Sequence, residues 1–116
     1  MKPQDLEDRL IDFAVAIVDV VEALPHSKAG SHIAGQLIRS GTSAAPNYGE
    51  ARSVESRRDF IHKMKISLKE LRETMIWLKI VSRKHMIVGE GIDAAISECD
   101  ELISIFVSST RTADGG

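Results

Sequence analysis

The stretch TSAAPNYGEA, Thr42–Ala51, decides how many helices this chain has. It carries Pro46 and Gly49, two residues that oppose a helix interior. Yet the residues around it keep helical spacing. Ile33, Leu37, Gly41, Ala44 and Tyr48 lie on one stripe, with Ala34, Ile38 and Ala45 beside it. A helix that stopped at Ala45 would have no reason to hold phase across the proline. The spacing predicts one helix that ends near Ala51 and kinks at Pro46, whose missing N–H leaves the Thr42 carbonyl without its usual donor. Gly35, Ser40, Gly41, Ser43, Ala44, Ala45 and Gly49 make this helix dense in small side chains, which let another backbone come close.

Upstream, Leu6, Leu10, Phe13, Ile17, Val21 and Leu24 recur at three- and four-residue steps and predict a first helix from Pro3 to Leu24. Pro3 suits a first turn, and Pro25 ends the segment. Ser27 or Ser31 can cap the second helix. Downstream, Ser53 or Ser56 caps a third helix that runs to about Arg83 on a stripe of Phe60, Met64, Leu68, Leu71, Met75 and Leu78. Gly89–Gly91 make the last turn. A fourth helix follows on Ile92, Ile96, Cys99, Leu102, Ile103 and Phe106, and Thr110–Gly116 read as a frayed tail. Four helices with short connections predict an all-α, up-down-up-down four-helix bundle, a single domain over residues 1–116.

Composition agrees. The 116 residues make one modest core, and the aromatic share of 4% leaves that core aliphatic. No apolar run approaches the ~20 residues needed to span a bilayer, and the N-terminus has no signal-peptide hydrophobic region. The single cysteine forms no internal disulfide. A cytoplasmic chain with no membrane partner is expected. Net charge is −2, but the charges are sorted by segment. Residues 1–28 and 86–116 are acidic; residues 61–85 carry seven Lys and Arg against two Glu. Asp5, Asp8, Asp12, Asp19 and Glu22 form an acidic stripe on the first helix. Arg58, His62, Lys65, Lys69, Arg72, Lys79 and Arg83 form a basic row on the third. That row can contact RNA or DNA phosphates, face an acidic stripe of the first or fourth helix, or face water.

Enzyme chemistry finds little support. Di-iron bundles need Glu-x-x-His on two helices, and the nearest match is Asp59-x-x-His62, once. Glu50, Glu70 and Glu73 are expected to pair with arginines such as Arg39 or Arg52. Cys99 falls on an apolar stripe and reads as core. His26, His32, His62 and His85 share no ligand spacing and read as surface or interface residues. No cofactor and no metal is expected. Met75–Val81, MIWLKIV, is apolar almost all round, which argues for burial from a second direction. Ile76, Trp77, Ile80 and Val81 are therefore candidates for an oligomer interface.

The pattern Gln36-Leu37, Arg39-Ser40, Ser43, Asn47, Glu50, Ser56, Phe60, Ser67 and Glu70-Leu71-x-Glu73 resembles the four-helix-bundle family named after the 23S ribosomal RNA intervening sequence. The match is close over the second and third helices, and the outer two agree in length and pattern. The resemblance implies assembly into a ring-like pentamer. It also implies kinship with accessory variability proteins of diversity-generating retroelements, pentamers that bind nucleic acid and a reverse transcriptase. Those relatives are strongly basic, whereas this chain has a pI of about 6.1. Gln36, Arg39, Asn47, Glu50, Glu70 and Glu73 are then the family's polar motif, expected at the assembly contacts. Two readings follow: a non-enzymatic oligomeric scaffold, or a nucleic-acid-binding accessory protein acting through the basic row.

Overall fold

A computed structural model describes residues 1–115, with side chains through 113. Five helical segments follow one another: α1 Pro3–Ala23, α2 Lys28–Gly41, α3 Ala44–Ser53, α4 Arg57–Arg83 and α5 Glu90–Gly115. α2 and α3 stack end to end as one interrupted rod, so the bundle has four rods within an envelope of 45 × 21 × 21 Å. Each rod packs on the next in sequence and the last packs on the first, which places α1 and α4 diagonally across the bundle. Neighbours run antiparallel. Glu7 meets Arg52 while Ile17 meets Gly41; Ser40 meets Thr74 while Glu50 meets Lys63; Leu71 meets Cys99 while Arg57 meets Ala113.

Local chemistry sets the boundaries. Leu24 is extended (φ −67°, ψ 147°), as a residue before proline prefers. Ser27 caps α2 by accepting from the Gly30 N–H, and Ser56 caps α4 by accepting from the Asp59 N–H, both at 3.0 Å. α4 closes by a Schellman turn. The Met86 N–H donates to the Val81 carbonyl and the His85 N–H to the Ser82 carbonyl. His85 takes the left-handed position (φ 58°) where glycine is usual.

The interruption does not sit at Pro46. α2 ends at Gly41, and Thr42 and Ser43 carry the chain into α3, where Pro46 occupies the third position. There a missing N–H removes no intrahelical bond, since the first N–H groups of a helix have no partner inside it. A proline ring clashes with the carbonyl four residues back, here Thr42, so the break falls one turn upstream. Thr42 (φ −102°, ψ 1°) sits in the bridge region next to the helical one and Ser43 (φ −84°, ψ −33°) is right-handed, and the buried stripe runs through: Leu37, Ser40, Gly41, Ala44, Tyr48, Ala51. The expectation of an uninterrupted, kinked helix is corrected to two helices in phase.

The small residues of this rod serve both neighbours. A Cβ on Gly41 would lie 2.5 Å from Ile17 Cγ2 on α1. Toward α4, Ser40 Oγ is 2.9 Å from Thr74 Oγ1, and the Ser67 hydroxyl donates to the Ala44 carbonyl at 3.3 Å. α5 also departs from expectation. It stays helical through Gly115, across the stretch read as a frayed tail. Thr110 is buried with its hydroxyl donating to the Phe106 carbonyl, and Arg57 donates to the Ala113 carbonyl. Gly116 lies outside the described residues.

Candidate interaction faces

The polar motif assembles around Arg39, at the end of α2. Its guanidinium reaches Glu70 Oε2 at 3.0 Å, Glu73 Oε2, and Gln36 Oε1 at 3.4 Å. Glu73 also accepts from the indole N–H of Trp77, whose ring stands edge-on to His32 at 5.9 Å. Arg39 is half exposed and Glu70 is 12% exposed, so the network lies along the outer edge of the α2–α4 seam. The pairing of Glu70 and Glu73 with Arg39 is as the residues led us to expect. Arg52 instead pairs with Glu7 on α1, and Glu50 with Lys63 on α4. Asn47 turns back on its own helix start, donating to Ser43 O at 2.9 Å and Ser43 Oγ at 3.1 Å. Glu50 and Asn47 are thus not part of one cluster with Glu70 and Glu73.

The basic row lies on the open side of α4. Arg58, His62, Lys65, Lys69, Arg72, Lys79 and Arg83 are all exposed, over ~38 Å at 1.5 Å per residue. No ion pair within the chain engages Arg58, His62, Lys69, Arg72, Lys79 or Arg83 among the described residues. The acidic stripe of α1 is equally open: Asp8, Asp12, Asp19 and Glu22 are exposed and make no ion pair among the described residues. Because α1 and α4 stand at opposite corners, the two stripes cannot neutralise one another inside one chain. α5 gives its carboxylates to α1. Arg9 forms a two-pronged pair with Glu98, both contacts at 2.7 Å, and reaches Glu101 at 3.5 Å. The hydrogen bond to Glu98 raises the pKa of Arg9 further above its ordinary value.

The apolar turn of α4 divides between core and surface. Met75, Leu78 and Val81 are buried in the chain's own core. Val81, expected at an oligomer interface, is 0% exposed and cannot face a partner. A sequence window of consecutive apolar residues hides which of them the bundle itself consumes. Trp77 is half-buried against His32 and Glu73. Ile76 (58% exposed) and Ile80 (41%) stand on the open face among the cations.

Two features escaped the sequence reading. A groove of about 420 Å³ opens between α1 and α5, floored by Phe13, Ala16, Val20, Ile92 and Ala95 and rimmed by Asp12, Asp19 and Glu98. Small residues on both helices, Ala16 and Ala23 facing Gly91, Ala94 and Ala95, hold it open, and that run of small side chains was the available signal. Beside it, Ile11 (47% exposed) and Val15 (56%) project from the outer face of α1, off the stripe that fills the core.

Cys99 is 0% exposed, its Sγ lies 3.3 Å from the Leu71 carbonyl, and burial pushes its thiol up to about 12. Burial, the largest cause, likewise raises Tyr48. No group of three or more His, Cys, Asp or Glu among the described residues could hold a metal ion. No helix among them is long and apolar enough to cross a membrane.

Comparison places these features in a family. The model of the 23S rRNA-intervening sequence protein family matches residues 5–108. A crystal structure at 1.70 Å of a protein with unknown function from the S23 ribosomal protein family of Bacteroides thetaiotaomicron superposes with a TM-score of 0.86. It is 33% identical, and the match covers 96% of this chain and 99% of that one. A search of curated proteins returns no match. With the family pattern spanning all four rods and a solved relative sharing the whole fold, the chain belongs to the 23S rRNA-intervening sequence protein family.

Proposed function

We propose that this chain works without catalysis, as a homo-oligomeric bundle whose assembled surface holds other macromolecules; five copies is the number the family resemblance implies. One observation carries the reading. Ile76 and Ile80 are exposed on the same face as the cations, in a bundle whose core is otherwise closed and whose buried side-chain polar atoms all have partners among the described residues. With 58% and 41% of their surface open, Ile76 and Ile80 forgo about half of the roughly 1.5–3 kcal/mol that full burial of each would bring, and a partner recovers it. Light scattering at micromolar concentration tests the reading: an oligomer is expected, and a monomer refutes it.

A second reading has its own support. Six exposed side chains, Arg58, His62, Lys69, Arg72, Lys79 and Arg83, line one face with no carboxylate engaged, as contact with nucleic-acid phosphates requires. By family resemblance, the partner would be structured RNA or DNA in company with a reverse transcriptase. Such binding must weaken steeply with salt, because each neutralised phosphate releases counterions. Gel-shift titrations with structured RNA and duplex DNA at low and moderate salt decide it; no retention at low salt rules it out.

A further inference from the structure

Deepening the oligomeric reading, we infer that the α4 ridge of one copy seats in the α1/α5 groove of the next, a head-to-tail contact between unlike faces. The two surfaces match in chemistry. The groove is apolar on its floor and carries Asp12 and Asp19 on its rim. The ridge presents Ile76 and Ile80 with Arg72, Lys79 and Arg83 around them, and its Arg72, Ile76 and Lys79 also form the α4 wall of a shallow groove that Ile96, Asp100 and Ile103 complete from α5.

They also match in spacing. On α1 the order is Asp12, Ala16, Asp19, at steps of four and three. On α4 it is Arg72, Ile76, Lys79, at the same steps. Each charged pair therefore spans ~10.5 Å along its helix. The large exposed Ile76 sits between the two cations where the small Ala16 sits between the two acids. A knob with cations before and after it faces a hole with carboxylates before and after it, which is how an amphipathic helix lies in a groove.

Like faces cannot substitute. α4 against α4 sets Arg72 and Lys79 against cations, and α1 against α1 sets Asp12 and Asp19 against carboxylates. Nor can one chain satisfy itself, since the two helices occupy opposite corners. The occupant that fits is a second copy. Unlike faces on one molecule give a heterologous contact, which repeats from copy to copy until it closes.

Charge reversal tests this. The expectation is that D12K/D19K and R72E/K79E each keep the wild-type circular dichroism and each weaken self-association by about 100-fold or more. An equimolar mixture of the two regains association with the variants alternating, in a species of even copy number, because the acidic groove of one accepts the native ridge of the other and the reversed faces match in turn. The chain carrying all four changes re-forms the wild-type mass alone. If the wild type is oligomeric and either reversal leaves its mass unchanged, the contact is overturned while the oligomeric reading stands. If the mixture and the four-fold variant stay monomeric while the singly reversed chains are folded, the contact is overturned too. A monomeric wild type removes both readings. An R72E/K79E protein that keeps its mass but loses retention of structured RNA overturns the contact and assigns the ridge to nucleic acid.

Discussion

Gly35 and Gly41 stand six residues apart in α2, and alanine should act on them with opposite sign. A Cβ on Gly35 meets nothing within 4 Å. Gly35→Ala then gains the helix preference of alanine, about 0.5–1 kcal/mol. A Cβ on Gly41 would lie 2.5 Å from Ile17 Cγ2 and 2.9 Å from Cγ1. Ile17 is 0% exposed, and a β-branched side chain in a helix has one strongly preferred χ1, so it cannot swing aside. Overpacking of this kind costs about 1–3 kcal/mol. The alanine preference offsets part of it, leaving a net loss of about 1–2 kcal/mol. At about 4 °C per kcal/mol for a chain this size, Gly35→Ala should raise the melting temperature by about 2–4 °C and Gly41→Ala lower it by about 4–8 °C. Ile17→Ala removes both offending carbons. Alone it costs about 2–5 kcal/mol, but it leaves only Cβ, 3.1 Å from the added carbon, so in its background Gly41→Ala should lose most of its cost. Urea unfolding followed by far-UV circular dichroism measures all four proteins, at one protomer concentration because association adds to apparent stability. If Gly41→Ala proves as stable as Gly35→Ala, or costs the same with and without the Ile17 side chain, the close approach of α1 and α2 is not what selects glycine there.

Thr74→Val should cost about 1–3 kcal/mol by stripping the buried Ser40 hydroxyl of its partner across the α2–α4 seam; adding Ser40→Ala should recover most of that loss, and a double-mutant cycle in urea reads the coupling. His85→Gly should stabilise by about 0.5–1 kcal/mol, because the left-handed backbone costs a side chain more than glycine loses in unfolded-state freedom; an unchanged unfolding midpoint would show that His85 is held there without strain. Cys99 should resist a maleimide in the native protein and react in denaturant, as mass spectrometry would report. The folded-state pKa of its thiol lies above the ordinary 9.0. Its contribution to stability is therefore complete below about pH 9 and fades as pH rises toward 12, and Cys99→Ala should flatten that alkaline loss.

What the sequence made legible follows from what periodicity encodes. Stripes at three- and four-residue steps report which residues share a face, so Leu10, Phe13, Leu71 and Leu78 were readable as core; the caps were readable only as pairs of candidates, Ser27 or Ser31 and Ser53 or Ser56, of which Ser27 and Ser56 serve. Phase is blind to a short interruption that preserves it, which is why α2 and α3 read as one helix. Val81 misled for a related reason: an all-round apolar turn tells how much surface needs covering, not which neighbour covers it. The α1/α5 groove depends on the distance between two helices, which an apolar stripe does not report; its signal was the separate run of small residues, Ala16, Gly91 and Ala95, whose missing bulk leaves the space.

The sorting of charge by segment takes its meaning from topology. In an antiparallel chain of four rods each packs on the next, so the first and third must stand at opposite corners. An acidic first rod and a basic third rod therefore face away from each other whatever their side chains do. Asp12 and Asp19 on α1 and Arg72 and Lys79 on α4 have no route to one another within a chain of this fold. α5 lies beside both; its Glu98 and Glu101 are held by Arg9, and its Asp100 shares a groove with Arg72 and Lys79 without an ion pair to either among the described residues. The same charges spread evenly over four rods would have found partners inside the bundle. Separated onto diagonal rods, each beside exposed isoleucine or valine, they leave one molecule with two faces that complement each other and not themselves.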